Sequence, residues 1–545
     1  MRFTLLAVEA LAALALLALI PRRARLGRFR ARLPGSAGAS VVFVFVAALL
    51  HSAALLWLLP PSPRFHDEWS YLLQGETFAS GRLTNPAPVQ PEYFETHHVL
   101  TAPTYQSKYP PGPGIPIALG LWLFESPWPG VAAAFAIACA ALAWMLQAIV
   151  PVRWATLGGL LPLLRFGVFE APDTDWFCYW VRSAWGGSVA MLGGALLFGG
   201  AFRWLRDARA SYAAWAGAGL SLLALSRPWE GLMAAVPVVA AVLVPLVREP
   251  RRIVSLAGAV VVLVPSFLGL AAYNHAVTGN ALLLPHVLYE QSYDVVPHFL
   301  WGDVKPTASW RHDDLRLLHY DWRMETWERR QTLAGNAGVF ARTLAIAGSF
   351  FLGPALAVAL AYGVGVLRRP AMRLPICAIA VSLLATIVTV TYRTHPHYLA
   401  PVAPLFVLLA VQALRAVRAG RGRAAAQMLG ILMVSSLFVC SAATLIDHRS
   451  SASDWNRVRA EIQEDLQESG ARHLVLVRYG EGHSPHDQWI ANGADLAHEQ
   501  VLWARDLGEV TERDLLPLYP DRFVWRLDAD SPRRELTPVR APQRR

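Results

Sequence analysis

Long apolar blocks separated by short arginine-rich breaks run through most of the 545-residue chain. A continuous apolar block of about 20 residues is long enough to cross a bilayer as a helix. Only 16% of the residues are charged, which is below the roughly 25% that is usual in soluble domains. The blocks lack the strand-like alternation of a membrane β-barrel, so the sequence predicts a polytopic α-helical membrane protein.

The arginine-rich breaks also predict an orientation, because Lys and Arg are enriched in cytoplasmic loops. Placing the breaks inside leaves the alternate loops outside, and these hold most of the acids, histidines and tryptophans that precede the final tail. Residues 115–124 are too few to span a bilayer, so we expect an interfacial segment there and about twelve spans in all. After the first outer loop, the predicted outer loops are residues 170–186, 226–231, 273–340 and 391–397.

The net charge of +10 invites a nucleic-acid partner. However, the arginines lie between apolar blocks, where the positive-inside bias explains them, and we expect no nucleic acid. The arginine-rich and alanine-rich composition is typical of a high-GC bacterial genome. We therefore expect a multi-pass protein of a bacterial inner membrane, in contact with membrane lipids, with its outer loops and C-terminal domain in the periplasm.

Composition changes abruptly after the last apolar block. A polar helical pattern covers residues 454–469, and short apolar runs typical of strands follow at 473–477, 501–504 and 523–527. A small C-terminal α/β domain is therefore predicted. The predicted segments are N-terminal transmembrane helices (1–60), a large first outer loop with juxtamembrane helices (61–130), a transmembrane region with outer loops (131–446), the α/β domain (447–530) and a disordered tail (531–545).

Adjacent carboxylates follow the second apolar block by only a few residues, in the triplet His66-Asp67-Glu68. Acids on the rim of a membrane span are costly to place there and indicate a functional site. Alternatively, they are acids of a solvated loop that cap the next helix. From the acids alone, both interpretations remain open.

A lysine lies about forty residues further along the same loop, in the run Lys108-Tyr109-Pro110-Pro111-Gly112. A lysine at a membrane interface can hold a lipid phosphate as a point charge, and prolines fix the backbone beside it. The alternative is a lysine that extends to the interface before a proline-initiated helix.

Together these features resemble the GT-C superfamily of membrane glycosyltransferases, with protein O-mannosyltransferases and aminoarabinose transferases closest in pattern. The resemblance rests on an outward-crossing helix, a large first loop opening with Asp67-Glu68, the Lys-x-Pro-Pro element at Lys108, and many further spans. It covers residues 41–445. Members of this superfamily transfer a sugar from a polyprenyl-phosphate carrier to an acceptor at the outer membrane face.

The resemblance implies roles for three residues of the first loop. Asp67 matches the catalytic aspartate that deprotonates the acceptor, and Glu68 matches the neighbouring acid that supports either that aspartate or the acceptor. Lys108 matches the lysine that binds the carrier phosphate, although Tyr109 separates it from the prolines where relatives have a plain Lys-Pro-Pro. A single displacement at the anomeric carbon would invert its configuration.

Other predicted outer loops supply further candidates for the carrier phosphate. Arg227 is suited either to clamp a phosphate or to pair with Glu230. A basic and aromatic cluster, which contains Arg393, His395 and His397, is suited either to the carrier phosphate or to anchoring two helices at the interface. Tyr109 completes the candidate carrier-binding set.

A divalent metal, Mg or Mn, is a further candidate. Asp173 and Asp175 resemble the second-loop acidic pair that helps oligosaccharyltransferases bind a metal, and Asp67 would complete the site. Hard cations prefer carboxylate oxygens. Mannosyl-type relatives need no metal there, and the alternative is a pair of acids in a solvated loop.

We therefore expect a GT-C-type glycosyltransferase with a polyprenyl-phosphate-linked sugar as donor and a glycan, lipid or protein as acceptor. Two other functions are compatible with the sequence. A transporter or flippase of a lipid-linked sugar would place ionisable residues within its spans or show repeated halves, whereas here they concentrate in loops. A non-catalytic envelope-assembly protein would use the same loops only to bind partners.

Overall fold

The apolar blocks of the sequence form helices in the computed structural model, which describes residues 2–21, 33–164, 166, 179–306, 310–390, 395–435 and 455–542. Within these residues, seven helices are long and apolar enough to cross a membrane. They are Ala37–Leu58, Trp128–Leu146, Ser188–Asp207, Pro228–Arg248, Pro250–Thr278, Leu333–Tyr362 and Pro396–Arg421. Five shorter apolar helices accompany them. The predicted polytopic helical class is confirmed.

The helices of the first half are numbered in chain order. They are α1 (Arg2–Leu19), α2 (Ala37–Leu58), α3 (His66–Ala79), α4 (Gly114–Phe124), α5 (Trp128–Leu146), α6 (Val152–Leu164), α7 (Tyr179–Arg182), α8 (Ser188–Asp207), α9 (Ala210–Ala224), α10 (Pro228–Arg248) and α11 (Ala257–Thr278).

The numbering continues through the second half. These helices are α12 (Pro285–Tyr293), α13 (Asp313–Arg316), α14 (Trp322–Arg330), α15 (Leu333–Ala347), α16 (Gly353–Tyr362), α17 (Arg373–Ala385), α18 (Ala403–Arg421), α19 (Arg423–Ser435), α20 (Trp455–Glu468) and α21 (Glu509–Asp514).

The segment that is too short to span forms α4, an apolar helix of 11 residues. It packs against α3 on one side and α5 on the other. Gly130 allows the close approach of α5, because a Cβ at this position would lie 1.7 Å from the carbonyl oxygen of Pro116. The far end of α4 remains exposed, with Trp122 and Phe124 more than half accessible. Aromatic side chains of this kind are favoured at membrane interfaces.

The loop between α2 and α4 forms a small antiparallel sheet of β1 (Asn85–Pro86), β2 (Val99–Leu100) and β3 (Thr104–Ser107), in the order β1-β3-β2. The sheet packs against α3 through β3. Asp67 lies in the first turn of α3, and Lys108 directly follows β3. The sheet therefore returns the lysine to the helix that carries the acid.

The C-terminal domain has the predicted α/β character. Its sheet contains β4 (His473–Arg478), β5 (Val501–Arg505), β6 (Phe523–Asp528) and β7 (Thr537–Arg540), in the order β5-β4-β6-β7. The central strand β4 runs parallel to both β5 and β6. The strands predicted at 473–477, 501–504 and 523–527 are β4, β5 and β6, and α20 corresponds to the predicted polar helix.

The end of the chain corrects one expectation. Residues 531–542 were predicted to belong to a disordered tail, but Thr537–Arg540 forms β7 and pairs antiparallel with β6. The exposed edge of β6 offers unpaired backbone groups that a further strand can satisfy. Arg540 strengthens the pairing by donating to the carbonyl oxygen of Tyr519 at 2.7 Å.

A buried ion pair joins the C-terminal domain to the loops. Arg505, at the end of β5, makes two parallel 2.8 Å contacts with the two carboxylate oxygens of Asp314 in α13. Both side chains are about 5% exposed or less. Arg505 Nε also donates to the carbonyl oxygen of Glu95 in the first loop at 2.9 Å. One side chain thus holds three separate segments together.

Replacing Arg505 with Met should loosen the C-terminal domain, because a buried Asp314 would lose its countercharge. Breaking such a pair from one side costs about 3–5 kcal/mol. We expect faster hydrogen–deuterium exchange in β5, measured by mass spectrometry on the full chain. The control is Arg513→Ala, which removes a largely exposed pair with Asp514. Equal exchange in the two variants would contradict the anchoring role.

Candidate functional site

One cavity of about 1080 Å³ brings together residues from the first loop, the α9–α10 turn, the α11–α14 region, the turn before α18 and the C-terminal domain. Among the predicted site residues it is lined by Asp67, Lys108, Tyr109, Arg227 and His395. These positions are separated by up to 328 residues in sequence. The cavity is therefore the candidate functional site.

Asp67 is the buried acid of this cavity, with 8% of its surface exposed. The phenolic hydroxyl of Tyr109 donates to its Oδ1. His66 Nδ1 lies 3.0 Å from Oδ2, and His98 Nε2 lies 3.6 Å from Oδ1. Burial opposes ionisation of Asp67, but the contacts of His66 and Tyr109 and the nearby charge of Lys108 outweigh it and lower the pKa of Asp67. Asp67 is thus an ionised carboxylate at neutral pH.

The backbone around Asp67 is strained at His98, whose φ is +65°. Left-handed backbone is unfavourable for a residue with a Cβ and often occurs at functional sites. Two buried contacts hold it: the His98 amide donates to the Tyr289 hydroxyl at 2.9 Å, and Ser70 Oγ donates to the His98 carbonyl at 2.6 Å. This arrangement keeps the His98 ring beside Asp67.

Glu68 has a different environment from Asp67. Its Oε2 accepts from the backbone amides of Arg64 at 2.8 Å and Phe65 at 3.3 Å. These contacts satisfy donors at the start of α3, which is the alternative interpretation of the acidic pair. Burial raises the pKa of Glu68, against the effect of those amides and the Ser183 hydroxyl. Glu68 therefore shapes the turn that presents Asp67.

Lys108 is 3% exposed and lies over the ring of Tyr289, with Nζ 4.6 Å from its centroid. Burial and the nearby Arg323 lower the pKa of Lys108 to about 8, although Asp294 and Asp67 act in the opposite direction. A buried cation with few fixed partners gains most from an anionic ligand. Its position suits the binding of a phosphate.

Arg323 is a cavity residue that the sequence did not single out. Its Nη1 lies 2.8 Å from Oδ2 of Asp294, whose other oxygen contacts His319 Nδ1 at 2.5 Å. His319 Nε2 lies 3.0 Å from the Tyr289 hydroxyl. Residues 319 and 323 are spaced for one helical face, but the sequence offered no signal that this face would meet Asp294. The network links the loop of Lys108 to α12 and α14.

The Pro-Pro-Gly element brings Arg227 to the same cavity. The amide of Gly112 donates to the carbonyl oxygen of Leu225 at 2.7 Å, and a Cβ at Gly112 would lie 2.7 Å from that oxygen. Only glycine permits this approach. The Arg227 guanidinium lies 5.0 Å from the ring centroid of Tyr398. A cation–π contact of this kind leaves the guanidinium edge available for a phosphate.

The remaining predicted residues divide into three groups. His395 lines the cavity and packs on Trp185 at 5.3 Å. His397 is fully buried against Trp185 at 4.4 Å, and it does not line the cavity that the described residues form. Asp173, Asp175 and Arg393 lie outside the described residues.

Two groups of side chains in the described part of the chain have metal-ligand geometry. They are His66, Asp67 and His98, and His286, Glu290 and His298. In the second group, His286 Nε2 and His298 Nδ1 lie 2.9 and 3.0 Å from the same oxygen of Glu290. Each group offers two imidazoles and one carboxylate, a donor set that suits zinc-like ions better than Mg or Mn. The predicted Mg or Mn site stays a prediction, because its ligands Asp173 and Asp175 lie outside the described residues, and the proposed reaction uses no metal.

Comparison with known proteins finds similarity at the level of solved structures. No family model and no curated protein matches the chain. ArnT from Cupriavidus metallidurans in the apo state has 13% identity and a TM-score of 0.49, with 91% of this chain and 94% of that chain covered. The same protein bound to undecaprenyl phosphate has a TM-score of 0.46.

A second similar structure is the archaeal oligosaccharyltransferase AglB from Archaeoglobus fulgidus, in complex with an inhibitory peptide and a dolichol-phosphate. It has 12% identity and a TM-score of 0.47, with 85% of this chain covered. This chain spans 64% of the length of AglB. Both similarities concern the course of the backbone.

Replacing Tyr109 with Phe should raise the pKa of Asp67, because the carboxylate loses a hydrogen bond that favours its charged form. We expect a rise of roughly one to two pKa units, since hydrogen bonds to charged groups are worth about 1.5–3 kcal/mol. An infrared titration of the carboxyl band, identified with Asp67→Asn, measures this shift. Tyr293→Phe is the matched control, because its hydroxyl faces Glu95 instead. An unchanged titration in Tyr109→Phe would contradict the assignment.

Proposed function

We propose that this chain is a membrane glycosyltransferase of GT-C type that transfers a sugar from a polyprenyl-phosphate carrier to an acceptor. One observation carries the proposal: the ionised carboxylate of Asp67 and the cations Lys108, Arg227 and Arg323 line a single cavity. A base and a phosphate-binding group are the two parts that such a transfer requires.

The reaction has one displacement step. The acceptor oxygen bonds to the anomeric carbon as its proton passes to Asp67, and the bond between that carbon and the phosphate oxygen breaks. The electron pair of the broken bond stays with the phosphate, so the products are the glycosylated acceptor and the free carrier phosphate. Attack opposite the leaving group inverts the anomeric configuration.

The cations act on the leaving group. Charge builds on the phosphate as it departs, and buried cations stabilise developing charge more strongly than exposed ones. Lys108 has its ammonium over Tyr289 and beside Arg323, and Arg227 approaches from the α9–α10 turn. In this proposal, Lys108 contacts the phosphate first, and Arg227 and Arg323 complete its binding. His395 and His397 pack against Trp185 and support that wall of the cavity.

Glu68 and Tyr109 act through Asp67. Glu68 caps the turn that carries Asp67, so it is a positioning residue in this proposal and does not contact the acceptor. Tyr109 keeps Asp67 ionised until an acceptor hydroxyl arrives, and its role as a carrier contact is secondary. The C-terminal domain covers the cavity from the side of His486 and Asp487.

We further propose that the cavity faces the periplasm of a bacterial inner membrane. This orientation rests on the arginine-rich breaks of the sequence, which the positive-inside bias places in the cytoplasm. Polyprenyl-phosphate sugars are then used on the outer face, where a glycan, lipid or protein acceptor would be reached. A transporter is less favoured, because most ionisable residues of the cavity lie in loops and short helices, and Glu230 lies in the first turn of the α10 span.

Replacing Asp67 with Asn should abolish transfer while leaving the fold intact, because Asn keeps the shape but cannot take the proton. We expect a rate loss on the order of 10²–10⁴-fold. The measurement incubates purified full-length protein with polyprenyl-phosphate sugars in membranes and follows sugar loss by mass spectrometry. Asp303→Asn, at an exposed acid, is the control. An Asp67→Asn variant with full activity would overturn the role of Asp67 as the base, and absence of transfer by the unaltered chain would favour the non-catalytic interpretation.

Transfer should survive thorough chelation with EDTA, because Asp67 supplies the base and the three cations bind the phosphate. The same mass-spectrometric assay measures this before and after chelation. Loss of transfer that Mg or Mn restores would instead favour a required ion at Asp67, with Asp173 and Asp175 as its predicted partners.

A further inference from the structure

We propose that the C-terminal domain supplies a subsite for a sugar ring of the acceptor, beside Asp67. The inference rests on the proposed function and names the acceptor class, which is a hydroxyl-bearing saccharide. The residues that carry it are His486 and Asp487 of the C-terminal domain, with Phe65 and Trp322 of the loops.

Side-chain contacts of His483 and Tyr479 fix the loop that carries His486. His483 contacts Asp530 Oδ1 at 2.8 Å with Nδ1 and the carbonyl oxygen of Asp487 at 2.9 Å with Nε2. Its ring stacks on Tyr479 at 4.0 Å. The Tyr479 hydroxyl accepts from the amide of Trp489 at 3.2 Å. These contacts hold the loop on both sides of His486, so its side chain is presented to the cavity by a fixed backbone.

His486 enters an aromatic wall next to the base. Its ring stacks on His66 at 5.4 Å, and His66 in turn contacts Asp67. Trp322 lies 5.3 Å from the His486 ring, and Phe65 lies 6.1 Å away. The side chains of His486 and Trp322 are both exposed. The wall therefore presents two exposed aromatic side chains, His486 and Trp322, close to the proposed base.

The chemistry of the wall suits a neutral sugar better than a phosphate or a peptide. Flat aromatic faces pack against the apolar faces of a pyranose ring. The carboxylate of Asp487 and the imidazole of His486 provide hydrogen-bonding partners for hydroxyl groups. Asp67, the proposed base, lines the same cavity. In the proposed function, Lys108, Arg227 and Arg323 bind the phosphate of the carrier.

The test measures binding without turnover. Full-length protein in nanodiscs is probed by saturation-transfer difference NMR with methyl α-D-mannopyranoside, methyl β-D-glucopyranoside, a threonine-containing peptide and glucosamine 1-phosphate. We expect signals from the ring protons of at least one methyl pyranoside. Trp322→Ala should weaken that binding about five- to tenfold, and Trp322→Phe, which keeps a ring face, should restore most of it.

Two further variants complete the design. His486→Ala should weaken the same pyranoside, and in a transfer assay its loss of kcat/KM should lie mainly in the KM for that acceptor. His498→Ala is the matched control, because His498 lies in the same domain with 82% of its side chain exposed. It should bind and transfer like the unaltered chain.

Equal pyranoside binding by the unaltered chain and Trp322→Ala would overturn the subsite. Binding of only the peptide or only glucosamine 1-phosphate would also overturn it. These outcomes differ from failure of the proposed function, which is the absence of donor turnover with any acceptor. Pyranoside binding that depends on Trp322 supports the subsite, whereas donor turnover without such binding supports only the transferase.

Discussion

The cost of burying charge is the constraint on which this structure depends. An ionised carboxylate in a poorly solvated site persists only if donors and cations compensate for the lost water. Asp67 accepts a hydrogen bond from the Tyr109 hydroxyl, contacts His66 and lies near the charge of Lys108.

The compensating network also sets the shape of the cavity. Asp294 balances Arg323, and the chain of contacts through His319 and Tyr289 reaches the strained backbone of His98. The Asp314–Arg505 pair then attaches the C-terminal domain to the same loops. These buried contacts connect the loops that carry Asp67, the cations and the aromatic wall.

Local patterns explain why much of the fold was predictable. Apolar blocks, short strand runs and a polar helix depend on neighbouring residues, and they recovered the helical class and the three parallel strands of the C-terminal domain. The prediction for the tail was wrong, because β7 exists only by pairing with an edge that the local sequence does not describe. Glu68 was ambiguous for a related reason: an acid that caps a helix and an acid that faces a cavity have the same local sequence.

The sequence by itself determined the membrane class, the first loop as the place of the acids, and Asp67 and Lys108 as a candidate base and phosphate contact. The membrane class and the place of the acids need only hydrophobicity and charge, and the two candidate roles come from short motifs that resemble those of GT-C enzymes. Only the tertiary structure decided that Arg323 lines the same cavity as Lys108, that Tyr109 hydrogen-bonds to Asp67, and that His486 stacks on His66 beside Asp67. The physical reason is that buried charges and ring faces choose partners by proximity in the folded chain, across separations of up to hundreds of residues.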